Sequence, residues 1–310
     1  MSAYLHAFGA HLPERVVTNA ELAERTGKTA EWIESASGIQ ERRWAAPDTS
    51  IAAMGVAAAE SCLKTADFPT NKIGMLIVAS GSGARGFPGP AAAIADRLCL
   101  LSVPALDLPM ASAGSLFGLA LAMRLTETYG DILVVASEKM SPLCETEPLD
   151  PNTAILFGDG AGAALVSSRP GRWRMLDAAL HTDGQYREDL AFDGTGSLRM
   201  NGLTVILQAA RKIPASIEEV LARQNLSAQQ VTAFLLHQAN LNLLTRVAKA
   251  LNVGPEKIFA NVQRYGNTSS ASMLIAATEW AETNPGKGPI VFSAFGAGFH
   301  WGALVADSAD

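Results

Sequence analysis

Three polar residues interrupt otherwise apolar parts of this chain. Ser112 opens a stretch, residues 113–123, with no charge and almost no polarity, just after Pro109 and among small residues. A helix that is apolar on all sides belongs in the middle of a large core. A hydroxyl at its N-terminus lies beside free backbone N–H groups and the positive end of the helix dipole, where developing negative charge is stabilised. That place suits a nucleophile, and it equally suits a plain N-cap serine. His237 ends the apolar run Ala233–Leu236 and begins Gln238-Ala-Asn240, ahead of an amphipathic helix carrying Leu243, Leu244, Val247 and Leu251 on one face. Alone, it reads as a satisfied structural histidine. Asn267, between Gly266 and Thr268, reads as a turn or N-cap residue.

The elements that must position these groups alternate between strand and helix. Residues 73–79 (IGMLIVA) and 132–137 (ILVVAS) are uninterrupted apolar runs, as expected of strands covered on both faces. Residues 4–10 and 104–108 add further strands. Helices are expected over 19–25, 29–35, 50–65 and 91–98, and residues 140–152 form an irregular acidic loop. The alternation predicts a layered α/β fold.

At 310 residues the chain has room for one large domain or two closely packed halves. With 48% hydrophobic residues and 17% charged, it is compact rather than disordered. A net charge of −6 without a basic cluster argues against nucleic acid or an anionic membrane surface as the main partner. The longest uncharged run, 108–123, is shorter than the ~20 apolar residues of a membrane span, and residues 1–17 lack signal-peptide character. Three cysteines without metal or disulfide spacing (Cys62, Cys99 and Cys144) point to a reducing, cytoplasmic setting and to no metal site.

The second half repeats the first. Phe157-Gly-Asp-Gly-Ala-Gly-Ala-Ala-Leu-Val166 has a counterpart in Phe295-Gly-Ala-Gly-Phe-His-Trp-Gly-Ala-Leu-Val305. Ser112-Ala-Gly-Ser matches the small-residue opening at Asn267-Thr-Ser-Ser-Ala-Ser, and IGMLIVA at 73 matches VTAFLLH at 231. We expect halves at 1–168 and 169–310, each with a sheet, a buried helix and a closing glycine hairpin. Segment 169–200, with Gly184, Gly194 and Gly196, is read as the join plus a surface excursion. Neither glycine segment has the lysine of a phosphate-binding loop or opens a helix, so nucleotide binding is not expected.

Together, the turn at 111–114, FGDGAGAA at 157–164, HQAN at 237–240, GNTSSAS at 266–272 and FGAGFHWGA at 295–303 resemble the β-ketoacyl-acyl-carrier-protein synthase III family of thiolase-fold condensing enzymes. LPERVVTNAEL at 12–22 and EWIESASGIQER at 31–42 extend the likeness nearly end to end. The resemblance implies a five-layered α/β/α/β/α homodimer. It also implies ping-pong transfer of an acyl group from an acyl thioester to malonyl-acyl-carrier-protein, in fatty-acid or polyketide synthesis, with no cofactor. Ser112 stands at the position of the family's nucleophilic cysteine. His237 and Asn267 would hold the malonyl thioester carbonyl and stabilise its enolate, as neutral hydrogen-bond donors can. The backbone N–H groups of Ser112 and Ala297 would form an oxyanion hole. Trp32, Phe87, Phe157, Met200 and Asn240 would contact substrate, Phe87 by reaching into the partner's pocket.

The departures from the family pattern matter as well. A serine hydroxyl is scarcely ionised at neutral pH, unlike a thiol at a helix N-terminus. Ser112 is then a working nucleophile with His237 as base, an engineered replacement, or a sign that acyl-enzyme chemistry has been lost. Ala36 and Pro151 occupy positions where the family has arginines beside the tryptophan that stacks coenzyme A, so a cationic stacking partner and a phosphate-facing charge are missing. Asn242 and Leu207 replace basic residues of the carrier-protein patch, for which Arg211, Lys212, Arg246 and Lys249 would compensate. These departures point towards a carrier-bound acyl donor or a pathway-specific carrier, with the choice between acyl-coenzyme A and acyl-carrier-protein left open by the sequence. Transfer to a non-malonyl acceptor, or a catalytically reduced subunit of a synthase complex, are the alternatives.

Overall fold

The computed structural model describes residues 2–83, 86–145, 149–192, 198–283 and 287–309. The chain runs through β1 (Ala3–His11), β2 (Arg15–Thr18), α1 (Asn19–Thr26), α2 (Ala30–Ser37) and β3 (Glu41–Trp44). Thr18 and Thr29 cap the two helices by accepting the N–H three residues on, and Gly27 and Gly38 end them in the left-handed conformation. Next come α3 (Ile51–Thr65), β4 (Met75–Ala79), α4 (Pro90–Arg97), β5 (Ala105–Leu108), α5 (Gly114–Tyr129), β6 (Ile132–Glu138), α6 (Pro151–Ala154) and β7 (Gly160–Ser167). The remainder is β8 (Trp173–Thr182), β9 (Leu190–Ala191), β10 (Arg199–Met200), α7 (Gly202–Arg223), β11 (Ala233–Leu236), α8 (Leu241–Ala250), α9 (Val262–Tyr265), α10 (Ser272–Thr283), β12 (Ile290–Gly296) and β13 (His300–Ser308).

Nine strands form one sheet in the order β11-β12-β13-β8-β1-β7-β6-β4-β5. Its centre is a short antiparallel seam where Ala3, Tyr4 and Leu5 of β1 face Met175, Arg174 and Trp173 of β8. Outward from the seam both flanks follow one pattern. β1–β7–β6 and β8–β13–β12 are antiparallel, and β6–β4 and β12–β11 are parallel. The last parallel partner is β5 on one side and a single bridge, Phe234 to Ile258, on the other.

Helices α5 and α10 touch strands of both flanks and each other, so they lie between them. α3 and α4 cover the outside of one flank, while α7 and α8 cover the other. The result is the expected α/β/α/β/α stack. Strands β4, β6, β7 and β12 are buried along their whole length, which is why their sequences carry no polar alternation.

The two glycine segments differ from expectation. Phe295 to Val305 is a true hairpin, with β12 turning into β13 through Ala297, Gly298 and Phe299. Phe157 to Val166 is not. Phe157 bridges to Asn267, and β7 begins only at Gly160. Its glycines serve close packing instead: a Cβ on Gly162 would collide with Leu274 where α10 crosses the strand. The expected acidic loop at 140–152 contains helical turns at Ser141–Glu145 and Pro151–Ala154. Gly184 starts a short helical turn, whereas Gly194 and Gly196 lie outside the described residues.

Trp173, fully buried at the seam, packs its ring against Phe8 at 5.5 Å and Trp280 at 5.9 Å. Trp173→Ala should lower unfolding free energy by about 3–5 kcal/mol in urea titration. Trp173→Phe should cost far less, because it also removes an indole N–H that has no hydrogen-bond partner among the described residues.

Candidate active site

Ser112 does not open the helix. α5 starts at Gly114 with Ala113 at its cap and no side-chain capping bond. Ser112 sits in the turn before it with φ +63, a left-handed conformation that a non-glycine residue adopts only under constraint from its surroundings. The end of β12 supplies that constraint. Gly296 packs flush on the turn, and a Cβ there would overlap the Ala111 carbonyl and press on Ser112 Cβ. The Ser112 hydroxyl makes no hydrogen bond among the described residues, and the residue lines the main cavity. Its N–H, expected to face substrate, is instead donated to Ser269 Oγ at 3.0 Å.

His237 extends β11 by donating its N–H to the Ser293 carbonyl at 2.8 Å. Its Nδ1 lies 2.7 Å from Ser272 Oγ, which also accepts the Gln238 N–H at 3.0 Å. Burial pushes the imidazole down to about 4, against a smaller upward pull from a hydrogen bond to the Ser269 backbone. The ring is therefore neutral at physiological pH. Asn267 is held by its backbone, which donates to the Leu156 carbonyl at 2.8 Å and accepts the Gly158 N–H at 3.1 Å. Its Oδ1 accepts the Ser269 N–H at 2.9 Å, which fixes the amide and leaves its NH₂ as the unengaged end. This is a side-chain turn, not the helix cap that the sequence allowed.

A residue with no assigned role in the sequence reading anchors this loop. Glu138, fully buried at the end of β6, accepts the Ser270 Oγ–H at 2.6 Å and the Ser270 N–H at 3.2 Å. From the β4 side it accepts the N–H groups of Gly81 (3.0 Å) and Ser82 (2.8 Å). The only hint in the sequence was an acid ending an apolar strand.

The cavity holds about 580 Å³, and Ser112, His237, Asn267 and Ala297 all line it. So do Phe157, Met200, Asn240 and Trp32, the last 37% exposed. Asn240 also caps α8 through the Leu243 N–H. Ala297 has no positive φ, so alanine fits there, and its N–H makes no hydrogen bond among the described residues. Phe87 is fully exposed and lies off this chain's own cavity.

Among the described lining residues there is no lysine or arginine, and Asp150 is the one charged side chain. Two charge expectations change. Trp32 does have a cationic neighbour, since Lys28 Nζ lies 5.0 Å from its ring centre. Lys212 is no part of a surface patch: it is buried, bonded to Asp183 at 3.0 Å, with Nζ 3.7 Å from the Trp301 ring centre. Arg211, Arg246 and Lys249 are exposed.

The layered sheet with its two shared central helices is that of the thiolase-fold condensing enzymes. Residues 106–184 match the family model described as 3-oxoacyl-[acyl-carrier-protein (ACP)] synthase III, and residues 221–307 match its C-terminal counterpart. The chain is 36% identical to the beta-ketoacyl-[acyl-carrier-protein] synthase III of Pectobacterium atrosepticum, over 96% of each chain. The crystal structure of the Aquifex aeolicus 3-oxoacyl-[acyl-carrier-protein] synthase III superposes with a TM-score of 0.94 at 31% identity, covering 98% of this chain and 99% of that one. The priming β-ketosynthase of the R1128 polyketide pathway gives 0.87 at 30% identity, covering 99% and 97%. The chain belongs to the 3-oxoacyl-[acyl-carrier-protein] synthase III family, whose members are acyltransferases of the condensing type.

The His237 shift has a direct consequence for stability. The unfolded chain takes up this proton near its ordinary value of ~6.5, while the folded protein resists until about 4. His237's contribution is therefore complete above pH 6.5 and is lost as pH falls towards 4. Urea midpoints should fall over that window in the wild type and less steeply in His237→Gln. The His237 ring should keep the NMR shifts of neutral imidazole down to pH 5.

Proposed function

We propose that this enzyme starts acyl chains by decarboxylative condensation of an acyl thioester with malonyl-acyl-carrier-protein, using Ser112 as the acylated nucleophile. The supporting observation is the convergence of Ser112, His237 and Asn267, from distant parts of the sequence, on one largely apolar cavity. Ser112 Oγ attacks the donor carbonyl, the carbon–sulfur bond breaks, and the hydroxyl proton ends on the departing thiol. His237, neutral through desolvation, serves as the base as the substrate closes the gap, and the Ala297 N–H faces the developing oxyanion. In the second half-reaction His237 and the free NH₂ of Asn267 hold the malonyl carbonyl and stabilise the enolate.

A lining without lysine or arginine admits the neutral pantetheine arm, and at Trp32 the lone Lys28 is a weaker partner for the diphosphate of coenzyme A than the arginines of the family pattern. This favours a carrier-bound acyl donor. Exposed Phe87 and Leu101, together with edge strand β5, support a homodimer that passes Phe87 to its partner. The repeated flank pattern supports halves at 1–168 and 169–310. Free cysteines support the cytoplasm, and no helix among the described residues is long and apolar enough to cross a membrane. The lack of a hydrogen bond from Ser112 Oγ to His237 favours the second reading, a reduced subunit that decarboxylates or binds without acyl transfer.

Intact-mass measurement after incubation with short acyl thioesters separates the two. Wild type should gain one acyl group, faster from the carrier than from coenzyme A, and Ser112→Ala should gain none. Ser112→Cys should acylate at a similar or lower rate, because the turn is built around a hydroxyl. A gain of several powers of ten would mark Ser112 as a degenerate cysteine. Light scattering should give twice the 32.5 kDa chain mass.

A further inference from the structure

Lys212 is a buried cation for which the reaction has no direct use. It lies on α7, whose Val205, Ile206, Ala209 and Ile213 line the cavity, but Lys212 itself is not among the lining residues. Its Nζ donates to Asp183 Oδ2 at 3.0 Å and sits 3.7 Å from the centre of the Trp301 ring. Taking an ammonium out of water is costly, and a buried ion pair contributes little net stability compared with an apolar side chain of similar size. A methionine would fill this space without that cost. What the lysine adds is a fixed geometry between α7, the end of β8 and the start of β13.

The hairpin tip that carries the Ala297 N–H belongs to this junction. Ala297, Gly298 and Phe299 join β12 to β13. Asp183, just past β8, donates its N–H to the Phe299 carbonyl at 2.9 Å and accepts the Phe299 N–H at 3.1 Å. Tyr186 stacks on the Phe299 ring at 5.1 Å, and Lys212 Nζ lies 5.5 Å from the Tyr186 ring centre. On its other side the tip adjoins Gly296, which is flush against the Ser112 turn. The tip is thus held between the turn of the nucleophile and a clamp that Lys212 closes from α7.

We propose that Lys212 is a positioning residue for acylation: through Asp183 and Trp301 it sets the hairpin tip, and with it the Ala297 N–H, against the carbonyl under attack. This rests on the reading of Ser112 as nucleophile with the Ala297 N–H at its oxyanion. As Ser112 Oγ bonds to the thioester carbon, the carbonyl oxygen takes up negative charge and accepts that N–H. Collapse reforms the carbonyl, breaks the C–S bond and sends the Ser112 proton out with the thiol. A donor fixed beforehand stabilises this charge more than one that must first be ordered. His237 and Asn267 make no hydrogen bond to the tip among the described residues, so decarboxylation does not depend on it.

Lys212→Met separates these effects. The test measures acyl-Ser112 formation by intact mass over a range of carrier-bound donor, carbon dioxide release from malonyl-carrier, and the urea midpoint. The saturating acylation rate should fall about 10-fold, less than the ~100-fold of losing an oxyanion donor outright, because the N–H is misplaced rather than removed. The half-saturating donor concentration and the decarboxylation rate should not change. The urea midpoint should stay near that of the wild type, since the Asp183 side chain left behind is 26% exposed and reaches water. Asp183→Asn keeps the paired backbone bonds to Phe299 and removes the ion pair from its other end. Added to Lys212→Met, it should lower acylation no further. If both half-reactions and the midpoint fall together, Lys212 only supports the fold and the inference is wrong. It is equally wrong if donor affinity alone weakens, if the two substitutions act independently, or if acylation is unchanged. Absence of acylation in the wild type would overturn the nucleophile reading itself, and this inference with it.

Discussion

The site depends on one buried carboxylate. Glu138 has no cationic partner among the described residues, yet it is wholly removed from water. Such a buried acid is tolerable only where hydrogen bonds replace its hydration. They come from two directions: Gly81 and Ser82 after β4, and Ser270 in the loop that carries Asn267 and Ser269. The acid therefore ties the end of β6 to a loop 132 residues further along the chain, as its bond to Ser270 shows. It sets where the carboxamide and hydroxyl of the second half meet the serine of the first.

Around that anchor the site is built from backbone conformations that side chains alone would not choose. Ser112 and Ser269 both have positive φ, and one donates its N–H to the other's hydroxyl. Neither conformation is cheap, and each is held by neighbours: Gly296 against the first, the Glu138 contacts against the second. His237 is handled differently. It keeps ordinary strand-end geometry, and its chemistry is set by desolvation and by Ser272 on Nδ1. Two tautomers are compatible with that contact, because the Ser272 hydroxyl can give or take the shared proton.

Much of this was legible in the sequence, for reasons specific to each element. The buried strands were visible because a segment covered on both faces has no polar alternation. Ser112 stood out as the polar residue just ahead of an all-apolar helix, where it read as a cap as readily as a nucleophile. The limits were equally physical. Composition made FGDGAGAA look like a turn, but its glycines answer to α10 crossing β7, a contact from another part of the chain. Lys212 looked like a surface cation on α7, yet Asp183 and Trp301, from other elements, draw it inside. In Thr268-Ser-Ser-Ala-Ser272 nothing local tells which hydroxyl serves Ser112, which serves Glu138 and which serves His237. The fold alone assigns those roles.

The middle layer carries a consequence of its own. α5 and α10 each pack against strands of both flanks, so the middle core is built by the two together. The outer cores, under α3 and α4 on one side and α7 and α8 on the other, divide along the repeat, and the middle one does not. Severing the chain between β7 and β8 would bare the apolar faces of α5 and α10 that meet in the middle layer. A substitution in α5 or α10 is therefore felt on both flanks, by Ser112 as well as by His237 and Asn267.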